Sequence, residues 1–215
     1  MKRKLALTLA AALLLAGCAA RSDAREEALQ ARYAAMGGYA ARVETAVVRE
    51  RETARYALDV ENDGETTRVT VIAPEALAGV RATVAGDALT LSFDGMALDA
   101  GSLDPDLSAV NAVDIALRAA AAGWITERNA ERFEDVDALR LCFETELGGE
   151  PLYVTAWFNE LDMPLYAELE RGGEVLAYLE FTDFAFYDKM DESKTTEGED
   201  GDGNAPETDV GGDRP

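Results

Sequence analysis

The sequence predicts an α+β fold in which a curved antiparallel sheet carries two main helices on its concave side. Two observations support this prediction. Along most of the chain, apolar and polar residues alternate in short segments separated by turns rich in Gly, Asn and Asp, as in hairpin-linked strands. Two other segments carry apolar residues at helical spacing. The length of 215 residues fits one such domain plus tails.

The first helix is expected over residues 22–36, where Ser22 or Asp23 can cap the amino end. The glycines at 37 and 38 end it. A meander of strands follows, with a short turn or helical loop at 75–79. Strands are expected at 39–49, 55–60, 66–72, 80–84, 88–93 and 96–98.

The second helix is expected to begin at a cap formed by Asp104 or Ser108 and to end at Gly123. Its apolar stripe should pack on the concave face of the sheet and continues past the glycine: Val110, Val113, Leu117, Ala121 and Trp124.

After this helix, residues 126–135 are polar and are interpreted as a loop. Strands resume beyond it, and a proline at 164 interrupts their ladder because proline lacks a backbone donor. The later strands are expected at 139–146, 152–158, 165–169 and 175–186.

The amino terminus carries a targeting signal. Lys2, Arg3 and Lys4 precede an apolar run at 5–16, which is the anatomy of a secretory signal and too short to span a bilayer. The run closes on Leu-Ala-Gly-Cys18, which resembles the bacterial lipobox. The resemblance implies acylation of Cys18 after removal of residues 1–17. The alternative is an ordinary signal peptide with an incidental cysteine.

These patterns predict four parts: a signal peptide (1–17), a lipidated linker (18–23), a folded domain (24–188) and an acidic disordered tail (189–215). The chain should be exported. It should be anchored to the outer face of the cytoplasmic membrane, or to the outer membrane if the cell has one.

Composition excludes several functions. A net charge of −22 disfavours nucleic acid as a partner. The chain has no histidine, which removes the commonest general base and metal ligand, so no enzyme, metal or cofactor is expected. The turn at 62–64 lacks the spacing of a calcium loop. Cys142 has no second cysteine to pair with in a processed monomer and is interpreted as a small buried side chain.

Aromatic and other large apolar residues concentrate in the last third. Any one of them can be simply core, or a curved sheet and a helix can together enclose an apolar cavity for a small ligand. The candidate cavity-lining residues are Val110, Val113, Leu117, Trp124, Tyr153, Trp157, Phe158, Met163, Tyr178, Phe181 and Phe184.

The segment 153–184, YVTAWFNELDMPLYAELERGGEVLAYLEFTDF, resembles the LolA/LolB-like superfamily. There, a strand with Trp and Asn leads to a proline and then to two strands ending in a phenylalanine-rich stretch. The upstream order of helix, meander and alanine-rich helix is also similar. The resemblance implies a half-barrel whose helix-lidded cavity binds acyl chains of lipids or lipoproteins.

The layout is also similar to lipidated germination lipoproteins of the GerS type in spore-forming bacteria. That resemblance implies an alternative function, a non-catalytic scaffold that holds an envelope or germination enzyme at the membrane. Either way, the expected partners are the membrane through Cys18, an acyl ligand or an envelope protein, and the expected state is a monomer.

Overall fold

In the computed structural model, residues 24–49, 52–102 and 106–187 are described. The predicted signal peptide, Cys18 and the acidic tail lie outside these residues. Within them, eleven strands form one antiparallel sheet in the order β6-β5-β4-β3-β2-β1-β11-β10-β9-β8-β7. The strands are β1 (Gly38–Arg49), β2 (Glu52–Asn62), β3 (Thr66–Ala73), β4 (Arg81–Ala85), β5 (Ala88–Phe93), β6 (Met96–Ser102), β7 (Trp124–Phe133), β8 (Val136–Leu147), β9 (Glu150–Phe158), β10 (Pro164–Arg171) and β11 (Glu174–Tyr187).

Two α-helices lie on one face of the sheet, which we call the inner face. Helix α1 comprises residues 24–35, and helix α2 spans Ala112–Ala122. A 3₁₀ turn, Glu75–Leu77, links β3 to β4. The predicted α+β class, a curved antiparallel sheet with two helices on its concave side, is confirmed.

Strand alternation decides which side chains reach the inner face. Val43 pairs with Leu58 in β2 and with Phe181 in β11, and all three are buried. The same alternation places Leu141 of β8 and Leu179 of β11 in the core. The intervening residues form the outer face.

The second helix begins later than its sequence indicates. Its N-cap is Asn111 rather than Ser108 or Asp104, and Asp104 lies outside the described residues. The Asn111 side chain does not cap the helix; it accepts hydrogen bonds from the Ser108 backbone N–H at 2.8 Å and from its hydroxyl at 3.1 Å. The residues before Asn111 are therefore held in a turn, and the helix starts after it.

Residues 126–135 are not a loop, as the sequence suggested. Most of them belong to β7, which pairs with β8 through Asn129 opposite Arg140 and Ala130 opposite Leu139. As the last strand of the sheet, β7 is exposed along nearly its whole length. An edge strand of this kind shows no apolar alternation, and polar residues are normal there.

Two smaller predictions have different outcomes. The turn at 62–64 is a hairpin turn, in which the Asn62 side chain accepts a hydrogen bond from the Gly64 N–H at 2.8 Å. Cys142 is a free thiol, but it is only half-buried. Its neighbours Leu141 and Phe143 are both fully buried, so Cys142 lies on the outer face.

Candidate functional site

The helices cover only part of the inner face. Helix α2 packs against β8, β9 and β11. In α1, the Tyr33 ring meets Phe158 at 5.6 Å and Phe186 at 5.2 Å between ring centroids. The half of the sheet formed by β7–β11 and β1 is therefore filled by side chains. Within the described residues, α2 shows no packing against β3–β6 comparable to its packing on β8.

An apolar trough lies on the uncovered half. Its volume is about 370 Å³, within the usual range for small-molecule sites. The inner-face side chains of β2–β5 form its floor, and the turn before α2 closes one side. It is lined by Val47, Arg49, Glu52, Ala54, Tyr56, Leu58, Val69, Val71, Val80, Ala82, Leu91, Ser108, Ala109 and Val110.

Apolar side chains continue from the trough to the free edge of the sheet. Leu91 pairs with Leu98 of β6, and Phe93 pairs with Met96. Directly opposed residues share a face, so these side chains extend the floor of the trough. They are unusually exposed for their type: 51% for Phe93, 69% for Met96 and 65% for Leu98.

Polar groups lie at the hairpin end of β1 and β2, where Arg49 pairs with Glu52. The Arg49 guanidinium donates a hydrogen bond to the carbonyl oxygen of Leu107 at 3.4 Å. This contact ties β1 to the turn that borders the trough. The trough is therefore apolar along its floor and charged at one end, an arrangement suited to an amphipathic ligand.

Of the residues predicted to line a cavity, Val110 borders the trough. Four others are buried in the filled half between helix and sheet and face no cavity described above: Val113, Leu117, Phe158 and Phe181. Met163 is half-buried in the turn before β10. Phe184 is half-buried on the inner face and stacks near Tyr39, with ring centroids 6.0 Å apart.

The remaining candidates lie away from the inner face or outside its core. Trp124 begins β7 and is 75% exposed. Tyr153, Trp157 and Tyr178 alternate with buried residues of β9 and β11 and therefore lie on the outer face. The sequence showed the alternation but not its phase, because both faces of these strands carry large apolar residues.

Sequence reasoning missed most of the trough. Its floor comes from the first half of the chain, in particular Leu58, Val69 and Leu91. Their alternation was visible, and it predicted strands. What the sequence did not show is that, in the described part of the chain, α2 packs on β8, β9 and β11 and the β6 edge is left exposed.

Two tyrosines help to anchor the filled half. The Tyr33 hydroxyl donates a hydrogen bond to the Asp162 carbonyl oxygen at 2.9 Å, and burial raises the pKa of Tyr33 well above its usual value. Burial and the nearby Asp114 carboxylate also raise the pKa of Tyr39. Both rings are therefore neutral parts of the core at physiological pH.

The described residues contain no helix with the length and apolar character needed to cross a membrane. In the same parts of the chain, no three His, Cys, Asp or Glu side chains are grouped so that they could hold a metal ion.

No protein-family model and no curated protein matches the chain. Among solved structures, it is similar to an uncharacterized conserved protein from Thermus thermophilus, with 13% identity over 78% of this chain and 88% of that chain and a TM-score of 0.46. It is similar to a LolA superfamily protein from Nitrosomonas europaea, with 13% identity, 74% and 92% coverage and a TM-score of 0.40.

The lipoprotein LppX of Mycobacterium tuberculosis is also similar, with 16% identity over 74% of this chain and 95% of that chain and a TM-score of 0.41. The superfamily that segment 153–184 resembles is thus represented among the similar structures.

Proposed function

We propose that this protein is an exported, lipid-anchored lipoprotein that binds an acyl chain of a lipid or lipoprotein in the inner trough. The observation that carries the proposal is the apolar trough of about 370 Å³ and its exposed apolar extension to the sheet edge. Apolar surface left in water does not stabilise a folded domain, and exposed apolar patches mark interaction sites. An acyl chain laid along it would cover Leu91, Leu98 and Met96.

The amino-terminal sequence supports the choice of ligand. Acylation of Cys18, as the lipobox implies, would hold the trough close to a bilayer, where acyl chains are abundant. The net charge of −22 would not attract the domain to an anionic surface, so the lipid on Cys18 would provide the attachment. The proposal is a binding function and assigns no catalytic step to any residue.

The expected affinity follows from burial. Each methylene transferred from water into the trough contributes about 0.8 kcal/mol, or about a fourfold change in affinity. Lengthening a fatty acid by two methylenes should therefore tighten binding by about 15-fold until the trough and its extension are full. Beyond that length, the dissociation constant should stop changing.

The test is a calorimetric titration of residues 21–190 with fatty acids of increasing length, which measures the dissociation constant for each length. Replacing Leu98 by Glu places a charge on the apolar extension and should weaken binding about five- to tenfold, since roughly half of a leucine's burial energy is lost. The matched control is Leu161→Glu, because Leu161 is similarly exposed, at 69% against 65% for Leu98, but lies in the turn before β10.

The proposal fails if chain length has no effect on affinity, or if Leu98→Glu and Leu161→Glu weaken binding equally. The alternative is a non-catalytic scaffold of the GerS type that holds an envelope or germination enzyme at the membrane. In that case, the trough would bind no acyl chain, and the protein partner would contact another surface of the domain.

A further inference from the structure

The outer face of the sheet carries a second groove, of about 590 Å³, on the side opposite the trough. It crosses β2, β1, β11 and β10. Small side chains, Ala46 and Ala57, form its floor, and Tyr166 and Tyr178 line it at one end. It opens on the other face of the sheet, and Tyr56 of β2 lines both the groove and the trough.

Two carboxylates stand side by side in this groove. Glu44 of β1 is directly paired with Glu180 of β11. Like charges directly opposite each other destabilise a sheet. Within the described residues, neither carboxylate is joined to a cation by an ion pair of 4.0 Å or less. The fold thus places two carboxylates next to each other, outside any close ion pair among the described residues.

The groove also contains Arg55 of β2. Arg55 is paired with Ala46, which lies two residues along β1 from Glu44. Among the described ion pairs, none links Arg55 to Glu44 or Glu180. The two carboxylates therefore outnumber the one guanidinium of the lining. The carboxylate of Glu168 adds to the negative potential: burial and then Glu168 are the main causes that raise the pKa of Tyr166 to about 12.

Aromatic rings bound the groove beside the carboxylates. Tyr166 is paired with Glu180, and its ring lies 6.5 Å from Tyr178 and 5.4 Å from Phe133, centroid to centroid. Trp157 extends the row at 5.5 Å from Tyr166. Aromatic faces attract Arg and Lys side chains, and more strongly where water is partly excluded. Adjacent carboxylates and tyrosine rings favour the binding of a cationic side chain.

We propose that this outer groove is a docking surface for a basic peptide segment of a partner protein, with an Arg or Lys side chain seated between Glu44, Glu180 and Tyr178. Charge complementarity selects the occupant: the lining of the groove has two carboxylates against one guanidinium, and the chain as a whole carries a net charge of −22. That charge would steer a basic partner towards the domain.

The test measures binding of a capped, dye-labelled peptide of alternating Arg and Gly to the full chain in detergent, by fluorescence anisotropy at about 0.15 M ionic strength. Neutralising both groove carboxylates, Glu44→Gln with Glu180→Gln, should weaken binding about three- to tenfold. The matched control, Glu61→Gln with Glu144→Gln, removes the same charge from exposed outer-face positions outside the groove and should change affinity less than twofold, roughly the effect of a screened distant charge.

Two further variants separate docking from folding. Glu44→Lys supplies the groove with its own cation opposite Glu180; it should abolish peptide binding while the melting temperature stays equal or rises. Tyr178→Leu removes a ring face and should weaken binding about two- to fivefold.

Relief of the like-charge pair should also make Glu44→Gln with Glu180→Gln melt at a higher temperature than the parent chain. Equal losses of affinity in the groove and control pairs would show that the peptide senses only net charge, and would overturn the proposal. Absence of binding to the parent chain, or full binding by Glu44→Lys, would overturn it as well.

Discussion

Both halves of the inner face are built from strands with alternating buried side chains, but they differ in what packs on them. In the half formed by β7–β11 and β1, helices cover the sheet, and Leu141, Phe143 and Leu179 are fully buried. In the half formed by β2–β6, the equivalent positions become steadily more exposed, from Leu58 at 0% to Leu98 at 65%. The core therefore extends from the helix-covered half into β2–β4, and the apolar side chains become exposed only towards the β6 edge.

The largest effect should come from the filled half. Leu141→Ala leaves a cavity under α2 and should lower the free energy of unfolding by about 2–5 kcal/mol. Leu98→Ala removes the same side chain from an exposed position and should change it by less than about 0.5 kcal/mol. Denaturant unfolding of the two variants measures both values. Equal losses would mean that the uncovered half is also packed core.

A ligand bound in the trough should reduce the difference in local stability between the two halves. If an acyl ligand binds the trough, a concentration of about 100 times its dissociation constant should raise the free energy of unfolding by about 2.7 kcal/mol. Without ligand, the amides of β5 and β6 should exchange with solvent faster than those of β8–β11, since less is packed on them. With ligand, exchange should slow mainly in β3–β6; uniform slowing would argue against the trough.

Alkaline pH should destabilise the filled half, which contains Tyr33 and Tyr39. Tyr33 and Tyr39 have pKa values raised in the folded chain, chiefly by burial, so the neutral form is favoured there. The stability this provides is complete below the unfolded value of about 10 and is lost as the pH rises beyond it. The free energy of unfolding should therefore fall above about pH 10.

The matched variant for this pH dependence is Tyr33→Phe, which keeps the ring but cannot ionise. Its unfolding free energy should fall less steeply over the same alkaline range, although the hydrogen bond to the Asp162 carbonyl is lost. A slope identical to that of the parent chain would mean that Tyr33 does not titrate on unfolding.

The smallest effect should come from Trp124. Although this tryptophan belongs to β7, at the edge of the filled half, it is 75% exposed. Trp124→Ala should therefore change the free energy of unfolding by no more than about 0.5 kcal/mol. A loss of several kcal/mol would show that the helix-covered region extends further along β7 than its exposure indicates.

Much of the fold could be predicted because strand alternation is a local property. The strand from 88 to 93 was predicted at its observed bounds, β5 (Ala88–Phe93), and the turn before it at Gly86-Asp87 follows from the same local pattern. Whether a strand lies at the edge of the sheet depends on its pairing partners and not on its own local sequence. In the described sheet, β7 pairs with β8 alone, and it carries polar residues on both faces. Its sequence therefore looked like a loop.

The candidate site was harder to predict, for two physical reasons. Alternation gives two faces but not which one the helices cover, so Trp157 and Tyr178 could not be assigned to the outer face from sequence. The pairing of β1 with β11 and the packing of α2 on β8, β9 and β11 join residues far apart in the chain. No local pattern encodes these contacts, so the sequence did not show where the trough lies.

Native mass spectrometry of residues 21–190, purified without detergent, is the decisive test of acyl binding in the trough. We expect a co-purifying mass of a fatty acid or phospholipid. Ala109→Trp, which fills the trough from the turn before α2, should lose this mass; Ala185→Trp, which adds the same ring on the outer face of β11, should retain it. A clean protein mass that also ignores added fatty acid, or equal retention in both variants, would contradict acyl binding in the trough.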